Sequence, residues 1–341
     1  MIEYVLPTRS LSEAAGCTQL SATRCAPSAM EQQHTEPQPE PEAEPEADWR
    51  GWVPYRVRFR DGVARTTWAF LGQERLTDPF LHHTVARLES REGWPARRTS
   101  PTPVALFAAA ASLPGLAPDV FVLHCSRCGS TLLCNALRAV PTTSVVAEPG
   151  AVNDLLLHLL ASDSATSPDA RVEAESLLQP LCQALGYQRL GDEQRVVMKL
   201  SSWNVLALRS QLVRAWPTVP WIFVFRDPVE VSVSQLRDPS GWMSLRSSNP
   251  SAAARMFGVQ ESVLADTPPE QWCAIVLRKF YEAVSYFPPC QVSFPRWSEF
   301  SSHLNLAFAP RPRSLQRKIR SGVCCLVRGQ ALRTCTCPRS F

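Results

Sequence analysis

Residues 125–131 place small, hydroxyl-bearing and cationic side chains in the order CSRCGST, directly after an apolar run. Residues 120–123 predict a buried strand, and the leucines and alanines that follow the segment recur at helical spacing. A turn between a strand and a helix points backbone N–H groups, and the positive end of the helix dipole, at an anion above it. Arg127 adds a positive charge, and Ser130 and Thr131 add hydroxyl donors. The segment therefore predicts a phosphate-binding loop.

This loop differs from the common nucleotide-binding pattern GxxxxGK[ST], because it lacks both the glycine before the turn and the lysine at its end. Taken alone, the segment is equally compatible with a structural turn that happens to be rich in small residues. A second element is needed to decide between a phosphate site and a structural turn.

Residues 221–236, WIFVFRDPVEVSVSQL, supply that element as a second buried strand followed by a turn and a helix. Arg226 ends the strand, and Pro228 begins the helix, where a missing N–H costs nothing. Ser234 follows two turns later. The helix brings Ser234 back toward Arg226, so both side chains are predicted to bind one phosphate.

Together these two elements resemble the P-loop sulfotransferase family, which transfers a sulfuryl group from 3′-phosphoadenosine-5′-phosphosulfate (PAPS). The resemblance extends over residues 120–297. It implies that Arg226 and Ser234 bind the 3′-phosphate and that the loop binds the 5′-phosphosulfate. The loop residues assigned to this role are Arg127, Cys128, Gly129, Ser130, Thr131 and Leu132.

The sequence departs from the family at several positions. Soluble members have a histidine base where this chain has Ser201, a lysine at Arg127, and an aromatic residue for adenine stacking at Leu133. The basic, glycine-rich loop that closes the 3′-phosphate site in the family is not recognisable, and residues 317–322 are the nearest equivalent.

Two further residues are candidates for the chemistry. Glu148 follows the apolar segment TSVVA, and Lys199 ends the apolar segment QRVVMK. A base must take the proton of the acceptor, and Glu148 is the first candidate for it. Lys199 is predicted to bind the bridging or sulfuryl oxygens of the donor. The structural alternatives are a carboxylate that caps the next helix and a lysine that reaches solvent.

Strand and helix patterns alternate through this region, which predicts an α/β fold: a three-layer, P-loop-type parallel sheet with helices on both faces. Ligands of such sheets bind at the carboxyl ends of the strands. Arg127, Glu148, Lys199 and Arg226 all fall at predicted strand ends, so we expect them to lie at one edge of the sheet.

Composition divides the rest of the chain. Residues 1–48 are acidic and rich in proline, and we expect a disordered tail. Residues 49–103 form a small extension, in which the alternating pattern around a DG turn predicts a hairpin followed by a helix. Residues 104–300 make the sulfotransferase-like domain. Residues 301–341 are predicted to be an irregular segment rich in arginine and cysteine.

Charge and cysteine content limit the function classes. The net charge of +4 over 341 residues is mild, and it suits an anionic donor better than a nucleic-acid surface, for which a clustered basic face is expected. We expect no membrane span and a cytoplasmic protein, because no signal peptide or long apolar helix is recognisable. The 12 cysteines are then mostly reduced thiols. The carboxyl-terminal cysteines lack the spacing of a zinc site, and the resemblance to the family makes Cys125 and Cys128, which have CxxC spacing, part of the phosphate loop, so we expect no metal site.

The function expected from the sequence is sulfuryl transfer from PAPS to a hydroxyl or amine by in-line displacement. The acceptor, whether small molecule, glycan or peptide, and the oligomeric state cannot be read from the sequence. Two alternatives stay open: a small-molecule kinase with a variant phosphate loop, and a non-catalytic nucleotide-binding or scaffold protein.

Overall fold

A computed structural model describes residues 48–100, 103–161, 168–264, 266–285 and 324–328. The described residues from Trp49 onward belong to one compact unit. The predicted tail lies outside the described residues apart from Asp48. The same holds for residues 317–322 and for most of the predicted irregular segment.

The amino-terminal extension is a small antiparallel sheet of three strands, β1 (Trp52–Arg60), β2 (Val63–Phe70) and β3 (Arg98–Ser100), in the order β1-β2-β3. Asp61 and Gly62 connect β1 to β2 with φ angles of 53° and 80°. Positive φ at both central residues is what a type I′ hairpin turn requires, and the DG pair supplies it. The predicted hairpin is therefore present, followed by α1 (Leu81–Glu89). The third strand was not predicted.

The main sheet contains four parallel strands: β4 (Val120–His124), β5 (Thr143–Ala147), β6 (Arg195–Lys199) and β7 (Trp221–Phe225). Their spatial order is β5-β6-β4-β7. Helices flank this sheet, so the predicted α/β class with a parallel sheet is confirmed. The near-continuous burial of β4 and β6 is typical of strands that are covered on both faces.

A fifth strand, β8 (Cys324–Arg328), pairs antiparallel with β7, and Cys324 lies opposite Phe225. The sequence predicted irregular structure for residues 301–341, and these five residues differ from that prediction. An edge strand presents a row of unpaired backbone groups, which any extended segment can satisfy without a particular side-chain pattern.

The helices of the main domain follow the strands in alternation. In chain order they are α2 (Val104–Ser112), α3 (Ser130–Arg138), α4 (Gly150–Ala161), α5 (Pro168–Ser176), α6 (Leu178–Leu185), α7 (Val213–Ala215), α8 (Pro228–Arg237), α9 (Gly241–Ser248), α10 (Pro250–Phe257), α11 (Glu261–Leu264) and α12 (Pro269–Ser285). Before α7 the chain forms a 3₁₀ segment at Ser202–Ala207 and a π-helical segment at Leu208–Leu212. The spacing of the sequence predicts one regular helix there.

The small sheet packs through β1 against the helices that flank the main sheet, chiefly α4. Asp154 of α4 accepts hydrogen bonds from the Arg56 side chain and from the Val57 N–H, at 2.6 and 3.0 Å. Phe59 stacks on His158 one turn further along the same helix, with ring centroids 3.6 Å apart. The edge strand β1 is thus covered by α4. The same contacts fix the position of α4, which begins two residues after Glu148.

Candidate functional site

The predicted phosphate-binding loop lies between β4 and α3, at the carboxyl edge of the main sheet. Ser126, Arg127 and Gly129 have φ angles of 68°, 50° and 92°. Left-handed backbone at a residue other than glycine costs about 1–3 kcal/mol and is concentrated at functional sites. No side-chain hydrogen bond caps the start of α3 at Ser130. The Leu132 and Leu133 N–H groups donate to the Gly129 carbonyl at 2.9 and 3.2 Å, so an anion here would meet the remaining N–H groups of the first turn and the positive end of the helix dipole. The Cys125 N–H donates to the Val224 carbonyl at 3.2 Å, which ties the loop to β7.

Arg127, the cation of the loop, is turned away from the start of α3. Its guanidinium contacts both the carboxylate and the backbone carbonyl of Asp238, at the end of α8. The Asp238 side chain is 72% exposed, so water competes for this pair and the contact is weak. The loop is therefore tied to α8 by an ion pair that an incoming anion can replace.

Glu148 and Lys199 form an ion pair at the ends of the neighbouring strands β5 and β6. Lys199 Nζ contacts Glu148 Oε1, and the lysine is 1% exposed whereas the Glu148 side chain is 23% exposed. The Glu148 N–H donates to the Lys199 carbonyl at 2.6 Å. Glu148 also has a positive φ, of 50°. Lys199 Nζ lies 4.9 Å from the centre of the Phe80 ring, so the ammonium is held between a carboxylate and an aromatic face.

The environment of Glu148 keeps its carboxyl ionised. Burial acts to raise its pKa, but the neighbouring His124 ring and the charge of Lys199 outweigh burial and lower the pKa to about 2. The second carboxylate oxygen, Oε2, accepts a hydrogen bond from Ser201 Oγ at 3.3 Å. Asn153 Nδ2 donates to Ser201 Oγ at 2.9 Å, so Asn153 orients the hydroxyl toward Glu148. At neutral pH the site holds an oriented carboxylate.

His124, the last residue of β4, lies on the other side of this carboxylate. Its Nε2 is 3.4 Å from Glu148 Oε1, and its Nδ1 accepts a hydrogen bond from the Ser126 N–H at 3.0 Å. Because Nδ1 is an acceptor, the proton of the neutral ring is on Nε2, which lies near Glu148 but makes no hydrogen bond of good geometry within the described residues. His124 therefore lies between the strained loop backbone and the carboxylate.

The two loop thiols, Cys125 and Cys128, are both buried. Burial acts to raise the pKa of Cys128, but hydrogen bonds from Cys125 and His124, together with the Ser130 N–H, hold it well below its usual range. The hydrogen bond to Cys128, with burial, raises the pKa of Cys125. The Cys125 S–H donates to the Ser126 carbonyl at 3.6 Å, and both thiols are enclosed at the base of the loop.

Arg226 and Ser234 lie on the far side of the loop, at β7 and α8. Asp227 caps α8 by accepting from the Val229 N–H at 2.8 Å. Arg226 Nε contacts Glu230, whose side chain is 43% exposed. Because Glu230 precedes Ser234 by one helical turn, the guanidinium of Arg226 lies along the α8 face that carries Ser234. The Tyr281 O–H donates to the Arg226 carbonyl at 2.8 Å and holds the strand end.

The structure thus brings the predicted site residues to one edge of the sheet, in the order Glu148, Lys199, loop, Arg226. Leu132, assigned to the donor site with the loop, is 39% exposed. Sequence reasoning missed the role of Asn153, and it treated Ser201 only as a departure from the family. The sequence signal for Asn153 was its place one turn into the helix after Glu148.

Comparisons with protein-family models, curated proteins and solved structures gave no match for this chain. No helix among the described residues is both long and apolar enough to span a membrane. Within the same residues, histidine, cysteine and carboxylate side chains form no group of three or more that could hold a metal ion.

Proposed function

We propose that this protein is a PAPS-dependent sulfotransferase that acts on a hydroxyl or amine acceptor. The observation that carries the proposal is the buried Glu148–Lys199 pair beside the uncapped start of α3, on adjacent strands of a parallel sheet. This arrangement joins an anion-binding site to a fixed carboxylate and ammonium. A site for transfer of an anionic group needs those elements.

The donor would lie across the carboxyl edge of the sheet. The loop follows β4, and Arg226 ends the neighbouring strand β7, one inter-strand step of about 4.8 Å away. With Ser234 two turns further along α8, this part of the edge would offer adjacent sites to two anionic groups of one nucleotide. The loop and the start of α3 would bind the 5′-phosphosulfate. Arg226 and Ser234 would bind the 3′-phosphate, with Arg226 exchanging the exposed Glu230 for it. In PAPS the activated sulfuryl group supplies the electrophile.

Glu148 would take the proton of the acceptor, and Lys199 would bind the oxygen that leaves. These two roles are coupled, because Lys199 is one of the groups that hold the pKa of Glu148 at about 2. If Lys199 turns toward the donor, its effect on Glu148 weakens and the pKa of the carboxyl rises. Glu148 then becomes a stronger base when the donor is present. Ser201 and Asn153 would keep the carboxylate oriented during this exchange.

Two measurements on the full chain test the proposal. Calorimetry with adenosine 3′,5′-bisphosphate in the absence of magnesium should show binding, because the site is built from N–H groups and side-chain cations. Incubation with ³⁵S-labelled PAPS and a panel of phenols, alkyl alcohols, amines and oligosaccharides should transfer label to at least one acceptor class. Turnover of magnesium ATP without use of PAPS would identify a kinase instead, and binding without transfer to any class would identify a non-catalytic protein.

A further inference from the structure

The outward face of the β1–β2 hairpin carries three arginines that we define as the arginine face: Arg58, Arg60 and Arg65. Arg58 lies directly opposite Arg65 in the antiparallel register, and Arg60 lies two residues further along β1. Residues two apart on a strand point to the same side of the sheet. The inward side carries buried residues such as Trp68, which is 0% exposed. Arg58 and Arg60 are exposed, and Arg65 is partly exposed.

The arginine face is not neutralised by the rest of the described chain. None of its three side chains has an ion pair or hydrogen bond in the described ranges, and Arg65 Nε is buried without a partner. Other arginines of the same extension do have carboxylate partners: Arg75 with Asp192, Arg91 with Glu74, and Arg97 with Glu89. Arg98 of β3 has no carboxylate partner either, but it stacks on the Trp52 ring at 4.0 Å. The hairpin face thus differs from the rest of the extension in carrying three neighbouring arginines with neither kind of contact.

Folding gives no reason for this arrangement. Like charges directly opposite on neighbouring strands destabilise a sheet, and Arg58 and Arg65 are such a pair. Threonine or valine at either position would suit an exposed strand better than a second arginine. The face therefore carries charge at the expense of stability, as a binding surface does.

We infer that the arginine face binds an extended, acidic peptide segment of another protein, with carboxylates at alternate positions. Arg56, which precedes this face on β1, shows the geometry that such a partner would adopt. Its Nε and terminal nitrogen donate to the two carboxylate oxygens of Asp154, at 2.6 and 2.7 Å. Arg58, Arg60 and Arg65 have the same fork of donors with no carboxylate in it.

Spacing favours a peptide over other polyanions. Successive outward rows of a hairpin repeat every two residues, or about 6.8 Å, and alternate side chains of an extended peptide repeat at the same distance. Carboxylates at every second position would therefore meet successive rows in register. Arg58 and Arg65 form one outward row, and Arg60 and Val63 form the next. The exposed Val63 offers an apolar contact in this second row. A nucleic-acid site would need a longer basic track, since such proteins often neutralise about 6–10 phosphates.

Fluorescence anisotropy on the full chain with two labelled peptides tests the inference. One peptide is (Glu-Ser)₆, and the other has the same composition with glutamates and serines in separate blocks. We expect the alternating peptide to bind more tightly than the block peptide, and binding to weaken as salt rises. Arg58→Thr and Arg65→Thr should each weaken binding about two- to fivefold, the range for an exposed ion pair. Arg278→Gln removes an exposed charge from α12, away from the arginine face, and should change nothing.

The same variants give a second readout with the opposite sign. Because Arg58 and Arg65 repel one another, replacing either should raise the melting temperature while it weakens peptide binding. A fall in melting temperature would show that Arg58 and Arg65 stabilise the fold, and it would overturn the inference. Equal affinity for the two peptides would also overturn it, as would an equal loss of binding in Arg278→Gln. Tighter binding of heparin or inorganic polyphosphate than of the alternating peptide would assign the face to a different polyanion.

Discussion

The carboxyl edge of the main sheet carries two ion pairs of the same kind in opposite settings. Lys199 and Glu148 are 1% and 23% exposed, whereas Arg226 and Glu230 are 29% and 43% exposed. A buried pair cannot lose one partner without leaving a charge in a poorly solvated place. An exposed pair exchanges its partner at little cost. The first suits a fixed catalytic group, and the second suits a cation that must release one anion to bind another.

The largest expected effect is at the buried pair. Glu148→Gln keeps the shape of the side chain but removes the proton acceptor, so turnover should fall by about 10²- to 10⁴-fold with little change in donor affinity. The loss should shrink for phenols of low pKa, which need less help from a base. Steady-state kinetics with a series of substituted phenols and an alkyl alcohol measures how the loss of turnover depends on the pKa of the acceptor. Turnover near wild type for every acceptor would leave Glu148 a structural residue.

Stability should show the same contrast between the pairs. Lys199→Met leaves the Glu148 carboxylate without its cation and should lower the free energy of unfolding by about 3–5 kcal/mol, measured in urea. Adding Glu148→Gln to that variant should restore part of the loss, because the uncompensated charge is then gone. In the exposed pair, Glu230→Gln should change stability by less than about 1 kcal/mol. Strictly additive losses for Lys199 and Glu148 would show that the two residues are not coupled.

Low pH should remove the contribution that the buried Glu148–Lys199 pair makes to stability. The pKa of Glu148 is lowered from 4.5 to about 2 in the folded protein, so the folded state binds its proton less readily than the unfolded state does. Its contribution to stability is therefore present above pH 4.5 and is lost as pH falls toward 2. That contribution is on the order of 3 kcal/mol. Relative to Glu148→Gln, the wild-type advantage in melting temperature should shrink across this window, and a constant difference would contradict the assignment.

At the exposed pair, Arg226→Ala should weaken binding of PAPS about tenfold to a hundredfold, which is the range for a hydrogen bond to a charged group. Binding of adenosine 5′-phosphosulfate, which lacks the 3′-phosphate, should be almost unchanged. Calorimetry with the two ligands under identical conditions makes the comparison. Equal losses for both would mean that Arg226 supports the fold and does not read the 3′-phosphate.

The smallest effect concerns the partner of Arg226. Glu230→Gln removes the carboxylate that competes with a phosphate for Arg226, so affinity for adenosine 3′,5′-bisphosphate should rise about two- to fivefold. The same substitution at Glu282, which pairs with Arg278 on α12 at 2.6 Å, is the matched control and should leave affinity unchanged. Weaker binding in Glu230→Gln would show that Glu230 orients Arg226 instead of competing for it.

The strand ends were predictable from sequence because buried strands show as apolar runs, and parallel strands finish at one edge. This pattern predicts that Glu148, Lys199 and Arg226 lie at the same edge of the sheet. The sequence did not predict that Arg127 would turn to Asp238, because that contact depends on where α8 ends. Nor did it predict the π-helical segment at Leu208–Leu212, since a one-residue change of helical period leaves almost no trace in hydropathy.

The antiparallel strand β8 has a consequence for how the protein is made. Phe225 and Cys324, which face each other across β7 and β8, are about a hundred residues apart in the chain. At roughly 5–20 residues per second, a ribosome needs about 5–20 s to synthesise that interval. During this delay the outer edge of β7 has no native partner and is open to extended segments of other chains. Slower translation of the carboxyl-terminal third of the chain should therefore increase aggregation before release, even though the parallel strands are already complete.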